Sequence, residues 1–188
     1  MTRFVALLRG VNVGGRTLPM VALRQALQEA KYADVRTYVQ SGNVLFTAAG
    51  DQPQDEAAAI EKLIRRVFGL DVQVLVLTAG QLAEIAAANP FPGTGVDERF
   101  LHVTFLFEPV PEDVFTVLEL PMADGERVAL GGRGETGRRA VYLHLPHGYG
   151  RSKLGNAYFE RALRLPATTR NWRTVTTLVA MSSERSRG

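Results

Sequence analysis

Apolar positions along the first half of the chain alternate between two periods. Phe4 to Arg9 is a short, mostly apolar run, the pattern of a buried central strand. Pro19 then opens a helix that places Met20, Leu23, Leu27 and Ala30 on one face. Val35 to Gln40 and Val44 to Thr47 read as strands separated by Ser41-Gly42-Asn43, a hairpin turn in which Gly42 and Asn43 tolerate positive φ. Asp51 and Pro53 introduce a second helix, with Ile60, Leu63, Ile64 and Val67 at i, i+3, i+4 and i+7. Gly69 stops it, and Val72 to Leu77 is a β-branched strand. The order βαββαβ is that of a ferredoxin-like, split βαβ unit.

Thr78 to Gln81 has capping-box spacing and starts a linking helix over 79–89, with Leu82 and Ile85 on its apolar side. Asn89-Pro90-Phe91-Pro92-Gly93-Thr94-Gly95 ends that helix and marks a boundary. The order then returns. Leu101 to Phe107 is a strand, and Pro111 opens a helix with Val114 and Leu118 inward. Val128 to Leu130 and Ala140 to Leu145 are strands joined by the glycine- and arginine-rich turn from Gly131 to Arg139. A helix runs from Ser152 or Lys153 to about Arg164, with a stripe of Leu154, Tyr158, Ala162 and Leu165. Ala167 to Thr169 closes the sheet, and a last helix from Asn171 to about Met181 carries Trp172, Val175 and Val179 on one side. The expected fold is α+β: two tandem ferredoxin-like (alpha-beta plait) halves, 1–95 and 96–188, the second with a C-terminal helix and a frayed tail from Ser182.

Composition narrows the class without naming a function. The chain has 188 residues, 46% hydrophobic and 22% charged, which suits a packed core and excludes a disordered or fibrous protein. No apolar run reaches membrane-spanning length, and the start lacks a signal-peptide pattern. There is no cysteine, so disulfides and thiolate chemistry are excluded, and a cytoplasmic location with no membrane partner is expected. The net charge is +3, and 19 of the 22 basic residues are arginine, the lysines being Lys31, Lys62 and Lys153. Arginine is the residue of bidentate phosphate recognition, but a GC-rich genome accounts for the same bias.

Three segments stand where chemistry could sit. Arg9-Gly10-Val11-Asn12-Val13-Gly14-Gly15-Arg16 falls between a strand and a helix, where backbone amides cradle anions; the other reading is a flexible connecting loop. His147-Gly148-Tyr149-Gly150-Arg151-Ser152-Lys153 ends a strand, with Ser152 placed to cap the next helix and Lys153 near its positive end. In Thr169-Arg170-Asn171-Trp172-Arg173, Asn171 is an N-cap. Arg170 or Arg173 either meets a phosphate while Trp172 stacks on a base, or Trp172 anchors the core and Arg170 is paired internally. Gln40 and Asn43 of the hairpin are further polar candidates. The first strand is aliphatic and lacks the aromatic consensus of RNA-recognition sheets. No metal-ligand spacing and no nucleophile elbow occurs, and neither metal nor cofactor is called for.

Arg9-Gly10-Val11-Asn12-Val13-Gly14-Gly15, Tyr38 to Val44, Asn89-Pro90-Phe91, Ser152-Lys153-Leu154 and Thr169 to Val175 occur in one order. With these five motifs, from about residue 3 to 180, the chain resembles the bacterial family called domain of unknown function 1697. Arg173 stands where the family pattern usually has Asn. The resemblance implies two ferredoxin-like halves and carries no activity, substrate or catalytic residue. The residues favour a binding protein for a nucleotide or nucleic acid, through Arg9, Asn12, Gly14, Gly15 and Arg16, with Ser152, Lys153, Arg170 and Asn171 as a second site. An enzyme using Asn12, Gln40, Asn43 or Lys153 is the alternative, as is a structural, oligomer-forming protein; the oligomeric state is unknown from the sequence.

Overall fold

The structure is a computed structural model that describes residues 1–15, 17–132 and 134–184. The chain forms two compact units, Met1–Leu82 with the described residues from Leu178 onward, and Ala83–Thr177. Both are α+β, and each carries one four-stranded antiparallel sheet.

The first unit contains β1 (Thr2–Leu8), α1 (Met20–Glu29), β2 (Ala33–Tyr38), β3 (Asn43–Ala48), α2 (Pro53–Phe68) and β4 (Val74–Thr78), with sheet order β2-β3-β1-β4. That order and the intervening helices make the ferredoxin-like arrangement. Alternate residues Phe4, Ala6 and Leu8 pack with Val44, Phe46 and Ala48 against Leu23, Leu27, Ile60 and Ile64 of the helices. The opposed Phe4 and Phe46 rings stack at 5.4 Å, and Tyr32 meets Phe46 edge-on. Val5 and Leu7 are buried too, so β1 reads as an unbroken apolar run. Two helix faces differ from expectation at their last turns. Val67 is half exposed while Phe68 joins the core, and Ala30 is an exposed C-cap while Ala26 is buried. Both lie in last turns, where side chains already diverge from the packed stripe.

α3 (Ala79–Ala87) carries the chain into the second unit, two residues shorter than expected. Its capping box is reciprocal: the Thr78 amide donates to Gln81 Oε1 at 2.9 Å and the Gln81 amide to Thr78 Oγ1 at 3.1 Å. The second unit then has β5 (Leu101–Leu106), α4 (Glu112–Thr116), β6 (Arg127–Leu130), α5 (Gly134–Gly137), β7 (Ala140–His144), α6 (Asn156–Leu163), β8 (Ala167–Asn171) and α7 (Trp172–Ser183), with sheet order β6-β7-β5-β8. α7 runs through Thr177 into the residues of the first unit.

The second unit corrects three expectations. Val114 is exposed, and Phe115 is the α4 residue that packs on the core; a five-residue helix has only one turn, and the larger ring takes the apolar side. α6 starts at Asn156, not at Ser152 or Lys153, because Tyr149–Arg151 form a 3-10 turn first. Its inward residue is therefore Phe159, and Ala162 is exposed. The stretch from Gly131 to Arg139, expected as a plain turn, contains α5.

The tail expected to fray from Ser182 is held as far as Glu184. Arg3 Nη1 donates to the carbonyls of Ser182 and Glu184, and Arg36 donates to the Met181 carbonyl and the Glu184 carboxylate, both at 2.7 Å. Two arginines thus occupy the negative end of α7.

His102 on β5 stacks on Tyr149 at 5.1 Å, and its Nδ1 donates to the Phe100 carbonyl at 3.3 Å. Burial holds its pKa below the ordinary histidine value, against a smaller opposing pull from that carbonyl. The unfolded chain therefore takes up this proton more readily than the folded one. The resulting stability is complete above about pH 6.5 and is lost as the pH falls towards the lowered folded value. Urea midpoints measured on either side of that pH should show a decline that His102→Gln lessens; an identical decline in the variant would remove His102 as its source.

Candidate functional site

The polar and glycine-rich residues of the first unit gather at one end of its sheet. β1 ends at Leu8, β3 begins at Asn43 directly opposite Leu7, and the Arg9 amide donates to the Gln73 carbonyl just before β4. Between Arg9 and α1 the chain turns through positive φ at Gly10, Asn12, Gly14 and Gly15. Only glycine and asparagine occupy these places, as left-handed backbone favours.

Asn12 organises this loop. Its Oδ1 accepts from the Leu18 amide at 2.8 Å, and its Nδ2 donates to the Leu18 carbonyl at 3.0 Å and to the Gln40 carbonyl at 2.6 Å. One side chain closes the loop on itself and ties it to the β2–β3 turn. The buried side chains of Val11 and Leu18 anchor its two ends. Gly14 and Gly15 remain exposed, with open space where a Cβ would stand and no hydrogen bond to their amides among the described residues. The following helix, α1, has Pro19 at its N-cap position with no side-chain cap and no acid in its first turn, so its positive end is not neutralised locally.

The β2–β3 turn is fixed by packing. Gly42, at φ 79°, passes its carbonyl to the Leu8 amide at 2.8 Å, and a Cβ there would lie 2.5 Å from Val11 Cγ2 and 2.8 Å from Leu8 Cβ. Asn43 is not at positive φ; Val39 takes the left-handed position instead. Asn43 is fully buried and donates to the Tyr38 carbonyl and to Ser41 Oγ, both at 3.0 Å, so its amide shapes the turn from inside. Gln40 is exposed, and its carbonyl takes the Asn12 bond.

In this first unit the structure therefore brings Arg9, Asn12, Gly14, Gly15 and Gln40 into one loop cluster, with Arg9 half-buried at its start. Arg16 lies outside the described residues.

The second unit uses its expected site residues differently. Ser152 does not cap α6: its Oγ accepts from the Leu154 amide at 3.0 Å, and the first α6 amide, that of Asn156, is taken by the Tyr149 hydroxyl. Lys153 is exposed three residues ahead of the helix. Arg170 is only 7% exposed and donates to Thr168 Oγ1 at 2.7 Å and to the Thr169 carbonyl at 3.0 Å. Burial lowers its pKa to about 10, partly offset by Tyr149, which leaves it charged at neutral pH. Asn171 caps α7 as expected, accepting from the Thr174 amide at 2.8 Å, and Trp172 is buried. Arg170, Asn171 and Trp172 thus serve the framework.

Glu112, Leu130, Gly131, Gly132, Gly134 and Arg138, none of them a candidate from the sequence, line a cavity of about 370 Å³. The glycine-rich composition between β6 and β7 was the available signal. Among the described residues no group of three or more His, Cys, Asp or Glu side chains is placed to hold a metal, and no helix is long and apolar enough to cross a membrane.

This is an α+β protein built from two ferredoxin-like units, with its glycine-rich loops at strand ends. The chain matches the family described as "Protein of unknown function (DUF1697)" over residues 1–134, and it belongs to that family. The conserved bacterial protein SP0830 from Streptococcus pneumoniae has a similar structure, at a TM-score of 0.72 and 24% identity, covering 97% of this chain and 99% of that one. That likeness shows the fold. No curated protein matches the chain.

Proposed function

We propose that the first unit binds a phosphate-bearing ligand, a nucleotide or nucleic acid, at the loop from Arg9 to Leu18. The observation that carries this reading is the pair of exposed glycines, Gly14 and Gly15, whose amides have no hydrogen-bond partner among the described residues, in a loop that Asn12 holds in one shape. Such amides, ahead of a helix start that lacks an acid, suit an anion. Arg9 adds a basic group at the loop's beginning, and Arg16 belongs to the same stretch of sequence.

The test uses ATP and a single-stranded oligonucleotide as probes, with binding followed by titration at low and then moderate salt. Arg9→Ala with Arg16→Ala should weaken the probe that binds by about tenfold or more, with a shallower salt dependence. Val13 is 62% exposed on this loop, so Val13→Glu should repel the probe without touching the core. Unaltered affinity in both folded variants, or wild-type protein that binds neither probe, would overturn the reading.

A further inference from the structure

We propose that Val39, in the β2–β3 turn, is a specificity-determining contact for the base of a free nucleotide, together with Val13. The proposal rests on the phosphate-binding reading of the loop from Arg9 to Leu18, and narrows its ligand to a single nucleotide. Val39 stands at φ 51°, and it is the one β-branched residue in the left-handed region among the described residues. Left-handed backbone crowds a side chain branched at Cβ, which makes this a genuine outlier rather than an ordinary turn position.

The turn is held in this shape from both sides. Asn43 Nδ2 donates to the Tyr38 carbonyl at 3.0 Å, immediately before Val39, and Asn12 Nδ2 donates to the Gln40 carbonyl at 2.6 Å, immediately after it. The Gly42 carbonyl accepts from the Leu8 amide at 2.8 Å. Strain persists where the surroundings over-determine it, as they do here. Val39 is 49% exposed, so burial offsets little of that strain, and glycine or asparagine would take the same backbone more easily. An exposed valine alone needs no explanation. An exposed valine in strained backbone is accounted for by an apolar contact that forms only when a ligand binds.

The bond from Asn12 to Gln40 sets the position of that contact. Val39 precedes Gln40 and Val13, 62% exposed, follows Asn12, so each valine stands one residue from an end of the bond. Val13 leads directly into Gly14 and Gly15, the glycines whose amides suit phosphate. A nucleotide carries both chemistries in one molecule, phosphates for the amides and a flat, weakly polar base for the valine methyls. Inorganic phosphate lacks the second. A nucleic-acid strand calls for a row of aromatic platforms, one for each successive base. Val13 and Val39 are the exposed large apolar side chains of the described loop and turn, an area for one base, and Tyr38 is half-buried within β2.

The test titrates the full chain with ATP, GTP, CTP and UTP in turn, with inorganic triphosphate, and with a single-stranded oligonucleotide. At least one nucleotide should bind more tightly than inorganic triphosphate and than the oligonucleotide. Val39→Gly and Val39→Asn should each weaken that nucleotide about five- to tenfold, leave inorganic triphosphate unchanged, and hold or raise the urea midpoint. Asparagine avoids the added flexibility that glycine brings, so agreement between the variants assigns the loss to the missing methyls. Wild-type protein that binds neither a nucleotide nor inorganic triphosphate overturns the phosphate reading and this proposal with it. A nucleotide that loses affinity on Arg9→Ala but on neither Val39 substitution overturns this proposal alone. An equal loss for inorganic triphosphate, a lowered urea midpoint in both variants, or tighter binding of the oligonucleotide does the same.

Discussion

Gly42→Ala is expected to destabilise the protein by about 3 kcal/mol, combining the conformational penalty of left-handed backbone with overpacking. The new methyl would meet Val11 Cγ2 at 2.5 Å and Leu8 Cβ at 2.8 Å. Leu8 Cβ cannot rotate away, because it is attached to the backbone of a central strand. Val11 is buried and β-branched, so it has few other rotamers to adopt. The bond from the Leu8 amide to the Gly42 carbonyl prevents the turn from drifting outward at no cost. Gly15→Ala is the matched control. It has the same sign of φ, at 87°, but open space around its Cβ, and should cost only about 1 kcal/mol. Urea unfolding of the two variants separates the terms, and equal costs would show that the contact with Leu8 and Val11 is unimportant.

Asn12→Ala should cost about 2–3 kcal/mol and abolish phosphate-ligand binding at the loop. It removes three hydrogen bonds at once. Leu18 is buried, so its amide loses the acceptor it has and water is poorly placed to substitute. Alanine must also adopt Asn12's φ of 56°. Asn12→Gly relieves that backbone penalty without restoring the bonds, and should fall between wild type and Asn12→Ala. Asn12→Asp keeps an acceptor for the Leu18 amide but turns a carboxylate oxygen on the carbonyls of Leu18 and Gln40, so it should behave as badly as alanine. Denaturant midpoints and the amide dynamics of residues 12–15 check the series. If Asn12→Ala retains both stability and loop order, Asn12 does not organise the loop.

The arrangement of the candidate loop depends on these two residues, and they were legible to different degrees. Gly42 was recognisable as a turn residue, but its closeness to Leu8 and Val11 was not, since those partners lie more than thirty positions away. Asn12 stood out within an unusual segment, yet as a ligand candidate, and its amide instead braces Leu18 and Gln40. Asn43 was expected as a positive-φ turn residue and a polar site candidate, whereas it is buried and its amide bonds to Tyr38 and Ser41. Ser152 looked like a cap because serine followed by an apolar periodic stretch usually is one. The Tyr149 hydroxyl, reaching the Asn156 amide, supplied a competing partner.

What the sequence determined by itself is whatever near neighbours decide. The βαββαβ order of the first unit forms as read, and the second unit follows it apart from the added α5, because period-two and helical apolar patterns reflect one buried face per element. The reciprocal Thr78–Gln81 bonds and the Asn171 cap were equally legible, since their partners sit three residues away. Tertiary structure alone decided the faces of marginal helices, where Phe115 displaced Val114 and Phe159 took the inward place in α6. It also decided that Arg170 bonds to Thr168 and Thr169 of its own strand, while Arg138 lines a cavity and its Nε has no hydrogen bond among the described residues. An arginine has the same local pattern in either case. Its partners are set by which strands the fold lays beside it, and that pairing is a property of the folded chain rather than of any short stretch of it.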